Sequence, residues 1–290
     1  MTATILDGRA LATELRAELH TEVQRYVQKM GHVPGMVIVR VDGDAASGVY
    51  SKAILRSAST VGIQATLELL PATTSAAELQ ATLARLNHDP FTHGVIVQMP
   101  LPAHIPPQVV IDTVSAEKDI DGISLQSAGT LLQGLPGFLP STAAAVMEIL
   151  ARSHTPLAGK HAVVVGRSNV VGKPLAMLLL QQNATVTLCH SRTENLSYFT
   201  RQADILVAAV GHAQMISADM VRPAATVIDV GINARSEGGI VGDVDFAAVS
   251  EIAGAITPVP GGVGPLTNVV LMKQCIQAAW HQAEKPASYE

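Results

Sequence analysis

A chain of 290 residues, set against the roughly 150 residues of a common domain, is expected to fold as two domains, and 48% hydrophobic residues are enough to give each a core. Nineteen basic against twenty-four acidic side chains leave a net charge of −5, and aromatic residues make only 3%, so neither a basic footprint nor stacking platforms for nucleic acid are present. The longest apolar runs, 175–180 and 205–210, are six residues each, far short of the roughly 18 that span a bilayer. No nucleic-acid or membrane partner is expected. Cys189 and Cys275 are the two cysteines; they supply neither a disulfide framework nor zinc-type spacing. With no basic-then-apolar leader at residues 1–7, they point to a reduced, cytoplasmic setting.

Leucine or valine at 11, 15, 19, 23 and 27 marks the first helix. Met36-Val37-Ile38-Val39, bounded by Pro34-Gly35 and Asp42-Gly43, reads as a short buried strand, and a helix is expected from Ser47. Gln64 to Leu70 reads as the next strand. Ser75-x-x-Glu78 is a capping box ahead of Leu79, Leu83 and Leu86, and Gly94 to Met99 makes a third strand. Strands alternating with helices predict an α/β fold with a mainly parallel sheet, whose ligands bind beyond the C-terminal strand ends, where Asp42, Gly43 and Gln98 fall.

Prolines at 100, 102, 106 and 107 and the string Gly134 to Pro140 punctuate the chain, and the domain boundary is placed near 138. A second alternating series follows: a helix from Ser141, strand Ala162 to Val165, a helix from Pro174, then strands Thr185 to Leu188, Ile205 to Ala209 and Val227 to Val230. Val269, Met272, Ile276 and Trp280 mark a last helix whose spacing suits packing on the first domain. The final eight residues are expected to fray.

Ala162-Val163-Val164-Val165-Gly166-Arg167-Ser168, continuing to Gly172-Lys173-Pro174, reads as strand, glycine loop and helix start, a junction that aims free N–H groups at a phosphate. It is not a P-loop, because five residues separate the glycines and Pro174 stands where a magnesium-binding hydroxyl belongs. An ordinary strand-to-helix turn would read the same way. An NAD site places an acid about 20 residues beyond the glycines, whereas here Ser191 and Arg192 end the second strand. With Arg167 they favour a 2′-phosphate and hence NADP; the plainer alternative is that they solvate a strand end. Cys189 and His190, neighbours on that strand, would face opposite ways, and ten histidines lack paired spacing, so no metal is expected.

Ser47-Gly48-Val49-Tyr50, Val97-Gln98-Met99-Pro100-Leu101-Pro102, Lys118-Asp119-Ile120-Asp121-Gly122 and Thr257-Pro258-Val259-Pro260-Gly261-Gly262-Val263-Gly264-Pro265 are unusual strings. Together with Gly166-Arg167-Ser168 and Cys189-His190-Ser191, they make this chain resemble the bifunctional methylenetetrahydrofolate dehydrogenase/cyclohydrolase family over essentially its whole length. The resemblance implies two α/β domains around a cleft: residues 1–137 with 266–290 as the folate-binding catalytic domain, and 138–265 as a Rossmann-like NADP domain. It also implies oxidation of 5,10-methylenetetrahydrofolate with NADP, then hydrolysis of the methenyl product to 10-formyltetrahydrofolate, in a homodimer. Tyr50, Gln98 and Asp121 would be catalytic. Tyr50 and Asp121 would bind substrate together with Gly261, Gly262 and Pro265, and Gly166, Arg167, Ser168, Ser191, Arg192 and Ile232 would bind the coenzyme. A carboxylate suits an aminopyrimidinone edge, an aromatic face suits the aminobenzoyl ring, and glycine permits close backbone approach.

One family residue is missing. The resemblance implies a lysine one helical turn after the tyrosine, serving the hydrolytic step, and that position is Ile54. At about 100° per residue, Lys52 lies about 200° around the helix from Tyr50 and Arg56 about 120°, so neither replaces it. Ile123-Ser124-Leu125 and Pro140-Ser141-Thr142-Ala143 also depart from the family strings. The expectation is a dehydrogenase with weak or lost cyclohydrolase activity. A non-catalytic folate- or nucleotide-binding paralogue, or an NADP dehydrogenase of another substrate, are the alternatives.

Overall fold

The computed structural model describes residues 2–235 and 238–284. Of the expected C-terminal fray, residues 285–290 lie outside the described residues, while Ala283 still belongs to the last helix. The chain divides into two compact units: Glu14–Leu139 resuming at Asn268, and Pro140–Thr267 joined by the start of the chain as far as Thr13. Both are α/β with parallel central sheets.

In the first unit three parallel strands lie in the order Gln64–Leu70, Gly35–Val41, Gly94–Val97. The middle strand is buried on both faces, which its unbroken apolar run anticipates. Val37, Val39 and Val41 pack on Leu79, Leu83 and Leu86 of the helix Ala76–His88, each buried leucine contributing about 1.5–3 kcal/mol. That helix starts at the expected capping box: Ser75 Oγ accepts from Glu78 N, and the Glu78 carboxylate accepts from Ser75 N at 2.7 Å. The strand from Gly94 ends at Val97 rather than Met99, since Pro100 has no N–H for a ladder. The helix expected from Ser47 starts at Ala45, where Asp44 is the N-cap and accepts from Ser47 N at 2.7 Å. The last helix, Val263–Ala283, packs here from Asn268 onward: Gln274 donates to the carbonyls of Ile120 and Leu139, and Trp280 donates to Glu22.

The second unit holds six parallel strands, in the order Thr4–Ile5, Ala255–Ile256, Thr226–Asp229, Ile205–Ala208, His161–Val165, Thr185–Cys189. Residues 1–13 are expected in the first domain, whereas in the fold the start of the chain as far as Thr13 groups with the unit of the larger sheet. Thr4–Ile5 pairs with Ala255–Ile256 and Ala3 joins the core of the larger sheet, a pairing across some 250 residues that no local pattern encodes. Strand order reverses between His161–Val165 and Ile205–Ala208, so the ligand crevice of this sheet opens at their C-terminal ends, beside Gly166 and Ala209. The following helix begins at Gly172, which leaves Pro174 inside the first turn, where its missing N–H costs no intrahelical bond.

Candidate functional site

In the second unit, the chain leaves the strand His161–Val165 through Gly166 at φ 126°. A Cβ at 166 would strike the carbonyl oxygen of Ala209, and one at Gly172 would strike that of Gly166, so strand end, loop and helix start pack at a distance only glycine allows. Ser168 Oγ accepts from Val171 N at 3.1 Å, which holds the loop and leaves the hydroxyl proton free to donate. Beside the loop is a cavity of about 570 Å³ lined by Gly166, Arg167, Ser168 and Ser191, within the size range of small-ligand sites. His190, Thr193, His212 and Met215 line it too, and among the described residues no carboxylate does. Sequence reasoning assigned none of these four to the coenzyme, although His190 falls in the string Cys189-His190-Ser191; the short gaps separating the others from the ends of two strands mark them. Arg192, expected here, is exposed and outside the lining, its backbone N donating to His190 Nδ1. Cys189 faces the core. Burial raises its thiol pKa.

Ile232 lies elsewhere in this unit. It lines a smaller cavity of about 230 Å³ with Arg9, Gly231, Gly261 and Pro265. Gly261 takes φ 120°, which favours glycine. Gly262 is not in the lining: its N–H donates to Pro258 O at 2.7 Å, and a Cβ there would crowd Thr257. Its lack of a side chain therefore serves chain packing.

Tyr50, Gln98 and Asp121 belong to the first unit. Gln98 is 5% exposed and follows directly on the strand Gly94–Val97, its backbone N donating to Val39 O at 2.8 Å. Asp121 sits in a turn built by fully buried Asp119, whose carboxylate accepts from Ile123 N, Ser124 N and Ser127 Oγ. A parallel bridge pairs Val95, three residues before Gln98, with Asp119, two residues before Asp121. Tyr50 projects from the helix Ala45–Val61 and keeps 38% of its surface exposed. Burial of its hydroxyl environment, and secondarily the negative charge of Asp121, push its pKa well above the ordinary value, so Tyr50 and Asp121 feel one another electrostatically.

Ile54, one turn beyond Tyr50, has no accessible surface. Lys52 and Arg56 on the same helix are exposed. Buried Lys118 is engaged elsewhere: its ammonium donates to the carbonyls of Leu86 and Asp89 at 2.9 and 2.6 Å. Arg40 is the basic group sequence reasoning overlooked. Its guanidinium pairs with Asp42 at 3.0 Å and lies over Gly48, in space any side chain there would need. That places it at the start of the helix, well before residue 54.

Two family models match the chain: "Tetrahydrofolate dehydrogenase/cyclohydrolase, catalytic domain" over residues 6–121 and "Tetrahydrofolate dehydrogenase/cyclohydrolase, NAD(P)-binding domain" over residues 140–283. The chain is 50% identical to the bifunctional protein FolD of Albidiferax ferrireducens, across 95% of this chain and 96% of that one. Its structure is similar to the bifunctional FolD methylenetetrahydrofolate dehydrogenase/cyclohydrolase of Campylobacter jejuni, with a TM-score of 0.95 and 40% identity covering 96% and 99% of the two chains. It is also similar to the Trypanosoma brucei dehydrogenase-cyclohydrolase solved with NADP cofactor and inhibitor, with a TM-score of 0.93 and 33% identity covering 98% and 100%.

Proposed function

The chain belongs to the tetrahydrofolate dehydrogenase/cyclohydrolase family, and from that premise we propose that it oxidises 5,10-methylenetetrahydrofolate to 5,10-methenyltetrahydrofolate while its hydrolysis of the product is weak or lost. It is an enzyme of this family and NADP is its coenzyme. The residues present fit that coenzyme: glycines at 166 and 172 bring backbone close to the cavity, Ser168, Ser191, Arg167 and two histidines line it, and among the described residues no acid does. Neither Arg167, in the lining, nor Arg192, exposed outside it, forms an ion pair among the described residues, so the Arg167 guanidinium is available to phosphate oxygens within the cavity and that of Arg192 to a phosphate reaching beyond it. Ile232 is assigned to the coenzyme as well, from the neighbouring cavity.

When bound, NADP supplies the hydride acceptor. The protein's part is positioning, since the folate nitrogens themselves stabilise the cation that hydride loss leaves behind. Asp121 is assigned to the pterin edge, accepting from its amino and ring N–H groups; Tyr50 covers the aminobenzoyl ring; Gln98 borders both. Gly261 and Pro265 are assigned to folate. Gly262 supports them through the chain.

The observation that carries the second half of the proposal is Ile54. Attack of water on the methenyl carbon requires a group that moves protons, and the position one turn from Tyr50 holds a buried hydrocarbon. Arg40 does not supply the function, because its guanidinium is paired with Asp42 and held over Gly48 at the start of the helix. A homodimer in the cytoplasm completes the reading, supported by the family and by two buried free thiols. Among the described residues no helix is long and apolar enough to cross a membrane. The test follows NADPH formation and methenyltetrahydrofolate absorbance together: NADPH should appear with the methenyl product persisting, and enzymatic hydrolysis well above the spontaneous rate would refute the loss.

A further inference from the structure

Two carboxylates that the coenzyme reading leaves unused lie inside the unit that carries Gly166. Asp243 has no accessible surface and Asp229 is 3% exposed. Asp229 Oδ1 accepts from Gly231 N and Asp243 N, and Oδ2 from Val244 N, all at 2.9 Å. Asp243 Oδ2 accepts from Val210 N at 2.6 Å and Gly211 N at 2.9 Å, and Oδ1 from Asn233 Nδ2 at 2.9 Å. Among the described residues neither carboxylate forms an ion pair. Burial pushes the Asp229 carboxyl up to about 6, and the charge of Asp243 adds to the rise although three backbone N–H bonds oppose it. Two buried acids side by side are a poor way to stabilise a fold, so their geometry calls for another explanation.

That geometry reaches the coenzyme cavity. The N–H and C=O of a trans peptide point in opposite directions. With Val210 N–H turned to Asp243, the Ala209 carbonyl is turned to Gly166, where its oxygen fills the place a Cβ would need. Ala209, Val210 and Gly166 all line the 570 Å³ cavity. On its other side, the Asp243 carboxylate lies where a Cβ on Gly231 would fall, and Gly231 leads directly to Ile232. Hydrogen bonds thus run from one carboxylate to one wall of the cavity, and close packing runs from it to the segment that presents Ile232.

We infer that Asp243 is a positioning residue for the coenzyme: through the Ala209–Val210 peptide it sets the Gly166 loop, and through Gly231 it sets Ile232. The inference rests on the NADP reading above. Asp243→Asn keeps the size of the side chain but leaves one carbonyl oxygen for donors on two sides. Either the Val210–Gly211 pair or Asn233 then loses its acceptor.

The dissociation constant of NADP, measured by calorimetry on the folate-free protein, should rise about tenfold. KM for NADP should rise in step, while kcat and KM for methylenetetrahydrofolate change little. Asn233→Ala, which removes one donor and leaves both carboxylates, should shift NADP affinity in the same direction by less, and serves if the first variant does not fold. A merely structural role would lower the melting temperature and the active fraction but leave both Michaelis constants at wild-type values. That pattern, or unchanged NADP affinity in both variants, overturns the inference. Wild-type protein that binds NADP yet does not oxidise the folate would refute the proposed reaction and leave this test standing; wild-type protein that does not bind NADP overturns both.

Discussion

Tyr50 and Ile54 stand one turn apart on the helix Ala45–Val61, the first 38% exposed and the second without accessible surface. On the proposed reading, Tyr50 covers the folate ring while Ile54 stands where the hydrolytic step would use a titratable group.

Ile54→Lys should therefore introduce methenyltetrahydrofolate hydrolysis, by about tenfold or more over the wild-type rate, since general acid–base groups contribute at least that. An amine placed in a fully buried position also lowers stability, on the order of 3 kcal/mol. Rapid-quench hydrolysis assays and thermal melts check both. A folded variant with no gain in hydrolysis would show that more than this side chain was lost.

Asp121→Asn should weaken folate binding. Hydrogen bonds to a charged acceptor contribute about 1.5–3 kcal/mol, so KM for methylenetetrahydrofolate should rise roughly tenfold or more while KM for NADP stays put. The same variant removes the charge that helps raise the Tyr50 pKa, so ultraviolet titration should show one tyrosine ionising at lower pH than in the wild type. An unmoved tyrosine would mean that burial alone sets its pKa.

Gly166→Ala meets two obstacles, a φ of 126° and the Ala209 carbonyl. Backbone strain of about 1–3 kcal/mol has to be relieved by moving the loop, so NADP affinity should fall at least tenfold in a calorimetric titration. Binding at wild-type strength would remove the loop from the coenzyme site.

Acid should act oppositely on the two units. His93 is 3% exposed and accepts from Gly35 N at Nδ1, 2.9 Å; its pKa is pushed down to about 4, first by burial and then by the charges of His32 and Lys118. Its folded pKa lies below the unfolded 6.5, so the unfolded chain takes the proton first and stability falls as pH drops from about 6.5 towards 4, by up to about 3 kcal/mol. Asp229 is raised from 3.8 to about 6, so its contribution is full below about 3.8 and is lost as pH rises through 6. Hydrogen exchange at pH 7 and pH 5 should show protection decreasing around Gly35 and His93 and increasing around Asp229 and Val244. Parallel changes in both regions would contradict these assignments.

Much of the fold is written in short stretches, because helix caps, apolar periodicity and strand composition act over a few residues. Ser75 and Glu78 specify a helix start on their own, the run Met36 to Val39 specifies a strand covered on both faces, and the strings around Tyr50, Gln98, Asp121 and Gly166 carry the resemblance to the family. Boundaries were less legible where a neighbouring residue competed: Asp44 captured the N-cap ahead of Ser47, and Pro100 ended a strand early. Arg192 and Gly262 carried a plausible local signal, yet only the folded chain shows the first outside the cavity lining and the second committed to packing. Tertiary structure alone decided that Thr4–Ile5 completes the distant sheet, that Arg40 occupies the space above Gly48, and that Asp243 grips the peptide whose carbonyl abuts Gly166. The physical reason is the same in each case. A hydrogen bond or a close contact between residues far apart in the chain depends on where two backbones meet, and no periodicity or composition within either segment records that meeting.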